Sequence, residues 1–486
     1  MRKMYAGARL RRLREERRMT QAALAKSLDL SPSYLNQLER DQRPLTIPVL
    51  LKLNSTFDLD VQFFAADSDA RLVSDLHEVL VEAAGGGDTA PITEVEELAT
   101  RLPEVARIVI AMHRRLRAAT DQLDLLSSRV DTPTGAPGTP MPYEDVRDFF
   151  YDHRNHIATL DHAAEQLFEE SGLSIGSLDR QLARIAEERA GVTVLVRGDG
   201  ADPTIPKRHY DPDTRTLTLA RRLRPGQRAF QIATTLGLLL YGREIDNVLA
   251  ESRALTGESR TLARVGLANY FAGALILPYG RFLRSAEELR YDVDLLALRF
   301  EVGFETICHR LATLQRQGQR GVPFFLVRTD RAGNISKRQS ATAFHFSRVG
   351  GSCPLWVTHE AFAQPGRILT QISEMPDGRR YLWIARTTPP APLGHGSASK
   401  NFVIALGCDI EYADRLVYSQ GLQVEDPQVA VPIGPGCKVC ERPSCPQRAF
   451  PQIGRPLSVA EHTSTDLPYP RLPHPAATTV SRAVPT

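Results

Sequence analysis

The stretch from Thr20 to Arg43, TQAALAKSLDLSPSYLNQLERDQR, constrains the fold more than any other part of this 486-residue chain. Thr20 fits an N-cap for a short helix, because its hydroxyl can accept a free backbone N–H of the next turn. After the break at Asp29-Leu30, Ser31 followed by Pro32 is a second cap, with proline at the first helical position where its missing N–H costs nothing. Leu24, Leu28, Leu35 and Leu38 fall where two such helices would pack together. Leu10 and Leu13 put an apolar stripe on a helix before them, and residues 47–57 supply a fourth. Two short helices joined by a tight turn, the second opening with small polar residues, are helix-turn-helix geometry. The second helix of such a pair enters the major groove N-terminus first.

That geometry would bring Ser31, Ser33, Tyr34 and Gln37 to base edges and set Gln21 against the DNA backbone. Arg40 and Arg43 would lie along the phosphates. Serine and glutamine are permissive readers, so the operator sequence is left open. The net charge of the chain is only +3, but residues 2–18 carry eight Arg or Lys against Glu15 and Glu16, a run suited to a polyanion. Through TQAALA and YLNQLERDQR the segment resembles the Cro/repressor-like helix-turn-helix domain, which implies double-stranded DNA as a partner.

No run of eighteen apolar residues exists, so no membrane span is expected. The basic start lacks the apolar block of a signal peptide. The expected location is cytoplasmic, where clustered cysteines favour metal or redox roles over structural disulfides.

After a break at AAGGGDTAP (83–91), Pro103 opens a helix expected to run to about Ser127. Val105, Val109, Met112, Leu116, Ala119, Leu123 and Leu126 recur on it at steps of four and three, a heptad seam. A Pro/Gly/Thr linker (131–142) precedes a second seam of Val146, Phe150, His153, Ile157, Leu160, Ala164 and Leu167. Because helix-turn-helix regulators bind paired half-sites, one seam is a candidate homodimer contact. The alternative is that both helices pack on their own domain.

From 176 to about 330 the pattern is α/β. A helix from Ser177 to Ala190 leads into the strand VTVLVR, then a hairpin turning at Asp211-Pro212-Asp213, then two apolar helices. This order resembles the IrrE-like metallopeptidase domain that often follows such a DNA-binding domain in bacterial regulators. That resemblance implies H-E-x-x-H on the first apolar helix and a third ligand on the second. Thr234, Thr235 and Leu238 occupy the His, Glu and His positions, and Val265 stands at the third ligand's place. Hydroxyl and alkyl groups cannot hold zinc here or generate hydroxide. The expected product is the fold without zinc ligands, its cleft a small-molecule pocket lined by Phe230, Tyr241 and Tyr270. The alternative is that these three are core. Arg197, Lys207, Arg208, Arg221, Arg222 and Arg224 could meet the phosphates of an anionic ligand.

The last domain reads as α+β. VPFFLVRTDRAGNISKR and GRILTQISEMPDGRRYLWIAR are hairpins, and KNFVIALGCDIEYADRLVYSQGL is strand, turn and amphipathic helix. In GCKVCERPSC, Cys437, Cys440 and Cys445 are three soft ligands on a Pro/Gly-rich loop, one short of a closed site. Cys308 sits among apolar helix neighbours and reads as core. Cys408, at a strand end before Asp409, is favoured over Cys353 as the fourth ligand. Spacing alone leaves zinc and an iron–sulfur cluster open.

GLANYFAGALILPY, GGSCPLW, LGCDIEYADRLVY and CKVCERPSCPQRA together resemble the short-chain fatty-acyl transcriptional regulators, within them the actinobacterial propionate and acetate regulators, over nearly the whole length. The resemblance implies control of methylcitrate or glyoxylate cycle operons, a short-chain acyl-CoA effector and a [4Fe–4S] cluster at the cysteines. The expected organisation is multidomain. An all-α helix-turn-helix domain (1–65) is followed by a helical connector (66–175) and a degenerate IrrE-like domain (176–330). A cysteine-bearing domain (331–460) and a Pro-rich tail (461–486) complete it. Two competing readings are a regulator-protease, disfavoured by the missing H-E-x-x-H, and an effector-independent DNA binder with a structural zinc.

Overall fold

The structure, a computed structural model, describes residues 7–57 apart from 18 and 41, then 67–83, 90–128, 142–198, 205–252, 255–340, 352–388 and 400–452, with a few single positions beyond. The tail expected from 461 lies almost wholly outside the described residues. The chain divides into two compact units, one ending at Gly138 and the other beginning at Thr139.

The first unit opens with α1 (Gly7–Glu16), α2 (Gln21–Ser27), α3 (Pro32–Glu39) and α4 (Ile47–Phe57). Both expected caps form: Thr20 Oγ1 accepts from Ala23 N at 3.2 Å and Ser31 Oγ from Tyr34 N at 3.1 Å. Leu10, Leu13, Leu24, Leu28, Leu35, Leu38 and Leu53 close the core. Helices α5 (Asp67–Ala83), α6 (Ile92–Arg101) and α7 (Pro103–Ser128) build a second small core from Leu76, Val79, Val95, Ala99, Ala106 and Ile110. The long helix α7 has the bounds expected of it, but its heptad seam is not its buried face. Ala106 and Ile110 point inward, while Val105 is 43 % and Met112 64 % exposed. The side chains of Ala119, Leu123 and Leu126 lie outside the described residues.

The second unit begins with α8 (Pro142–Asp152) and α9 (Ala158–Glu170). The continuous second seam expected over 146–167 is interrupted, because Arg154 and Asn155 take left-handed backbone (φ 50° and 55°) and turn the chain between the two helices. Both helices pack on later helices of this unit, so they belong to its core and not to a free connector. Next come α10 (Leu178–Ala190), β1 (Thr193–Arg197), β2 (Arg208–Asp211) and β3 (Thr216–Ala220). The three strands form one sheet in the order β1-β3-β2, β1 parallel and β2 antiparallel to β3. Then follow α11 (Pro225–Leu240), α12 (Gly242–Ala250), α13 (Gly257–Ile276), α14 (Tyr279–Glu288), α15 (Val293–Phe300) and α16 (Phe304–Leu311).

The chain continues with β4 (Phe325–Thr329), β5 (Ile335–Ser340), α17 (Val357–Glu360), β6 (Leu369–Glu374), β7 (Arg380–Thr387), β8 (Val403–Asp409) and β9 (Val431–Pro432). These strands form a six-stranded sheet in the order β5-β4-β8-β7-β6-β9. Both expected hairpins are present, with Gly378 at φ 81° in the second turn. Among the described residues no α-helix follows β8, however. The chain runs on as 3-10 turns at Ile410–Arg415 and Val417–Ser419. Gly407 in β8 is required by packing, since a Cβ there would lie 2.2 Å from the ring of Phe325 and 2.6 Å from Trp383. One continuous core runs from Phe149 through Phe271 and Phe324 to Leu406 and Leu416. The boundary expected at 330 therefore does not separate two independent cores.

Candidate DNA-reading helix and cysteine centre

On α3, Ser33 is exposed and Gln37 half-buried, so both can reach outward from the helix. Ser31 has already committed an oxygen lone pair to its cap, and Tyr34 is half-buried against the core. The Arg43 guanidinium lies 5.8 Å from the Tyr34 ring centroid, and Arg40 is exposed at the C-cap of α3. Gln21 is held inside the protein: its amide donates to Asn36 Oδ1 at 3.3 Å and to Glu39 Oε2 at 3.0 Å. Glu39, 4 % exposed, also accepts from Arg14 Nε at 2.7 Å. This cluster fixes the angle between α1, α2 and α3. Sequence reasoning missed it because a Glu in a basic stretch carries no sign that it is buried.

In the middle of the second unit, α11 and α13 pack side by side. Thr234 Oγ1 donates back to Phe230 O at 2.8 Å, with Asn269 Oδ1 at 3.3 Å, and Thr235 Oγ1 donates to Gln231 O at 3.1 Å. The hydroxyls at the pattern's His and Glu positions are thus spent on their own helix. Leu238 is half-buried, and Val265 is exposed. Of the three expected pocket residues, Tyr270 is 4 % exposed, and its hydroxyl accepts from Ile157 N at 3.1 Å. Tyr241 is half-buried with its ring 4.7 Å from that of Phe271, and Phe230 is half-buried against the same core. Tyr270 is therefore a packed residue with a satisfied hydroxyl. Close by, buried Asp161 accepts from Arg310 at 2.7 Å and pairs with His156 at 3.1 Å. Burial alone would raise this carboxyl, but Arg310 and the bond with His156 outweigh it and hold it below its ordinary value.

The cysteine loop is folded around Arg448, which is 6 % exposed. Its guanidinium donates to the carbonyls of Cys437 (2.8 Å), Cys440 (3.0 Å) and Arg442 (2.8 Å). Cys437, Cys440 and Cys445 line one small cavity, and the fourth cysteine there is Cys353, not Cys408. Cys408 sits in β8 opposite Leu382, fully buried in the large core. Burial pushes its thiol well up, with Asp409 beside it adding to the effect. Burial raises the Cys353 thiol too, but Cys353 lies close enough to Cys440 and Cys437 for them to add to the rise. Backbone N–H groups of Leu355 and Gly434 work the other way on Cys353, as Arg442 N and the Arg448 and Arg442 guanidinium groups do on Cys440. Ala449 N donates to Cys437 Sγ at 3.4 Å. Gly434 is forced by this crowding, because a Cβ would lie 2.5 Å from Cys440 Sγ.

Among the described residues no group of three or more His, Cys, Asp or Glu side chains stands in a metal-holding array. The donor chemistry nevertheless fits a soft metal or an iron–sulfur cluster. Four thiols share a cavity in which their anions would repel one another, while backbone N–H donors meet sulfurs there and the positive charges of Arg448 and Arg442 act on Cys440. Among the described residues no helix is long and apolar enough to cross a membrane.

Comparison with known proteins agrees with this layout. Residues 10–64 match a helix-turn-helix family, 187–312 the IrrE N-terminal-like domain, and 313–469 the C-terminal domain of the short-chain fatty acyl coenzyme A regulators. The chain is 57 % identical to the HTH-type transcriptional regulator PrpR of Mycobacterium tuberculosis, over 96 % of this chain and 95 % of that protein. It is 49 % identical to the HTH-type transcriptional regulator RamB of Mycobacterium tuberculosis, over 96 % and 99 %. A solved structure, a Mycobacterium tuberculosis transcriptional regulator, superposes with a TM-score of 0.66 at 58 % identity. It covers 68 % of this chain and 100 % of its own.

Proposed function

The chain belongs to the short-chain fatty acyl coenzyme A regulators, and from that premise we propose a regulator that reads DNA with α3, answers to a short-chain acyl-CoA and carries a [4Fe–4S] cluster. Its targets are operons of propionate and acetate catabolism, those of the methylcitrate or glyoxylate cycle. The observation that carries the reading is the combination of an exposed Ser33 and a half-buried Gln37 on α3 with a metallopeptidase-like core whose His and Glu positions hold self-bonded threonines. Such a core can bind and change shape, but it offers no base and no metal ligand for hydrolysis.

Cys353, Cys437, Cys440 and Cys445 would hold the cofactor. A bound cluster would supply a cationic centre that keeps four thiolates together and can change oxidation state. Arg448 fixes the loop, and the backbone N–H groups at sulfur stabilise the thiolate form. Zinc on the same four sulfurs would make the site purely structural.

Pairing on half-sites asks for a dimer. The α7 stripe of Val105, Val109, Met112 and Leu116 follows heptad spacing, and all but the half-buried Val109 are exposed, which supports a seam to a second copy of this chain.

The test is promoter binding by full-length protein purified without oxygen, with and without propionyl-CoA. An effector-dependent regulator shifts its DNA affinity by about 5–150-fold for a typical coupling of 1–3 kcal/mol. No shift with any acyl-CoA favours the effector-independent binder instead. Ser33→Ala with Gln37→Ala should abolish specific binding while leaving the cofactor in place; survival of promoter binding means that α3 is not the reader.

A further inference from the structure

Five cations gather at one end of the β1-β3-β2 sheet. Parallel β1 and β3 finish at Arg197 and Ala220, and antiparallel β2 begins at Arg208, so all three termini fall at the same end. Two further bonds carry the ladder past them: Arg221 N donates to Arg197 O at 2.9 Å, and Ala220 N donates to Lys207 O at 3.2 Å. Arg197, Arg221, Lys207 and Arg208 thereby stand in a row across the sheet. Residues 221–224 then lead directly to Arg224 at the N-cap of α11. The first turn of α11 holds no acidic residue, so the helix adds the positive end of its dipole to the same end of the sheet.

Elsewhere in this unit exposed arginines are paired: Arg264 with Asp246 at 2.9 Å, Arg281 with Glu169 at 3.0 Å and Arg299 with Glu288 at 2.8 Å. Among the described residues none of the five cations has a carboxylate partner. Arg222, between them in sequence, has a different use and donates to Ile205 O at 2.5 Å. Arg208 is the sharpest case. It is half-buried, and its Nη1 is shut off from water without a hydrogen-bond partner. Burial pushes this guanidinium below its ordinary value, with no carboxylate to offset the effect. Like charges set side by side, with one buried donor unsatisfied, cost stability; a bound anion relieves both costs.

The form of the row selects the anion. Arg197, Lys207, Arg221 and Arg224 are exposed at strand ends and a helix start, unlike the concave, largely apolar surroundings that hold small ligands. Neighbouring strands lie about 4.8 Å apart, so three of them carry positive charge over about 10 Å. Each strand of B-DNA places one phosphate per about 3.4 Å of helix axis, so the row matches about three successive phosphates. Long exposed cations meet phosphates without reading bases. We propose that Arg197, Lys207, Arg208, Arg221 and Arg224 form a second, sequence-independent DNA contact, in which the second unit of the chain holds the phosphate backbone of the duplex. The contact goes to phosphates alone, so it does not require α3 to be the reader.

The assay is fluorescence anisotropy of full-length protein on labelled promoter DNA and on a duplex of unrelated sequence, each across a salt series. One phosphate contact contributes about 0.9 to the slope of log affinity against log salt. Arg197→Gln with Lys207→Gln and Arg221→Gln should therefore lower that slope by about 2–3 on both duplexes. Binding should weaken by about tenfold or more near 0.1 M salt, at an unchanged melting temperature. Arg299→Gln, at an exposed arginine already paired with Glu288, should leave the slope as it is. An unchanged slope in the triple variant overturns the second contact. Arg208→Met removes an uncompensated charge, so it should melt no lower than the unsubstituted protein yet bind DNA several-fold more weakly; a lower melting temperature at unchanged affinity overturns the role given to Arg208. Ser33→Ala with Gln37→Ala should keep the row's share of the slope on the unrelated duplex, which separates a failure of α3 as reader from a failure of this contact. Calorimetry with inorganic pyrophosphate in place of DNA should show no saturable binding. Saturable binding that the triple variant loses would give the row to a small anion and overturn its assignment to DNA.

Discussion

Replacing Arg448 by alanine should empty the cysteine site although every thiol remains. The guanidinium makes three short bonds, to the carbonyls of Cys437, Cys440 and Arg442. Bonds to a charged donor are worth about 1.5–3 kcal/mol each, so the gross loss is roughly 4–9 kcal/mol. The neighbouring Pro446 and Gln447 are exposed, and water can re-satisfy part of the loop, which leaves about 2–4 kcal/mol. At 1.4 kcal/mol per decade the cofactor should be held roughly 30- to 1,000-fold more weakly. The charge matters as well: burial raises the Cys440 thiol and the Arg448 guanidinium offsets part of that rise, so its removal further disfavours the thiolate. Arg448→Lys keeps the charge but cannot span three diverging carbonyls, and should fall between the two. The assay is metal and sulfide content per chain after dialysis against a chelator without oxygen. If Arg448→Ala retains as much as the unsubstituted protein, the guanidinium is not what shapes the loop.

Cys353→Ser should lose the cofactor, and Cys408→Ser should keep it with a lower melting temperature from a hydroxyl placed in the core; the opposite pattern, read by anaerobic absorbance, refutes the ligand set. Val105→Glu with Met112→Glu should convert a dimer to a monomer in sedimentation velocity, and an unchanged mass would place the contact elsewhere. Asp161→Asn should cost about 3–5 kcal/mol near neutral pH by leaving Arg310 buried without its counter-ion. Because the folded pKa of Asp161 is depressed, its contribution is present above the unfolded value of about 3.9 and fades as pH falls through the folded value. Melting curves of the two proteins should therefore converge only below about pH 4; convergence already at pH 6 would contradict the sign of that shift.

Local chemistry made much of the fold legible. The caps at Thr20 and Ser31, the turn at Gly378 and the start of α7 at Pro103 each depend on residues a few positions apart. The buried face of α7 was not legible for a physical reason. It meets α5 through Ala106 and Ile110 but also through His113 and Arg117, which pair with Glu82. A stripe that mixes small, apolar and charged groups reads as polar, so the truly apolar stripe, left exposed, looks like the packing face. The second seam failed differently. The turn at Arg154-Asn155 carries neither Gly nor Pro, and its left-handed backbone is held by the surrounding structure, with Asn155 1 % exposed.

The choice of fourth cysteine shows the same limit at the site itself. Cys408 was favoured because a strand end before an aspartate ordinarily projects into solvent. Here β7 extends past it, pairing Leu382 with Cys408 and Tyr381 with Asp409, so the end of β8 is an interior strand position. Every residue from Val403 to Cys408 is buried, which removes the alternation that would have marked an outward face. Cys353 is placed by non-local structure: it reaches the loop because β9 returns beside β6 and carries residues 432–440 past the segment that begins α17. A cysteine brought to the cavity by strand register is invisible to spacing, whereas Cys437, Cys440 and Cys445, carried by one loop, are visible. The arrangement of the cysteine cavity is thus a consequence of one short strand pairing at Ser373 and Glu374, which brings the chain after β9 to Cys353.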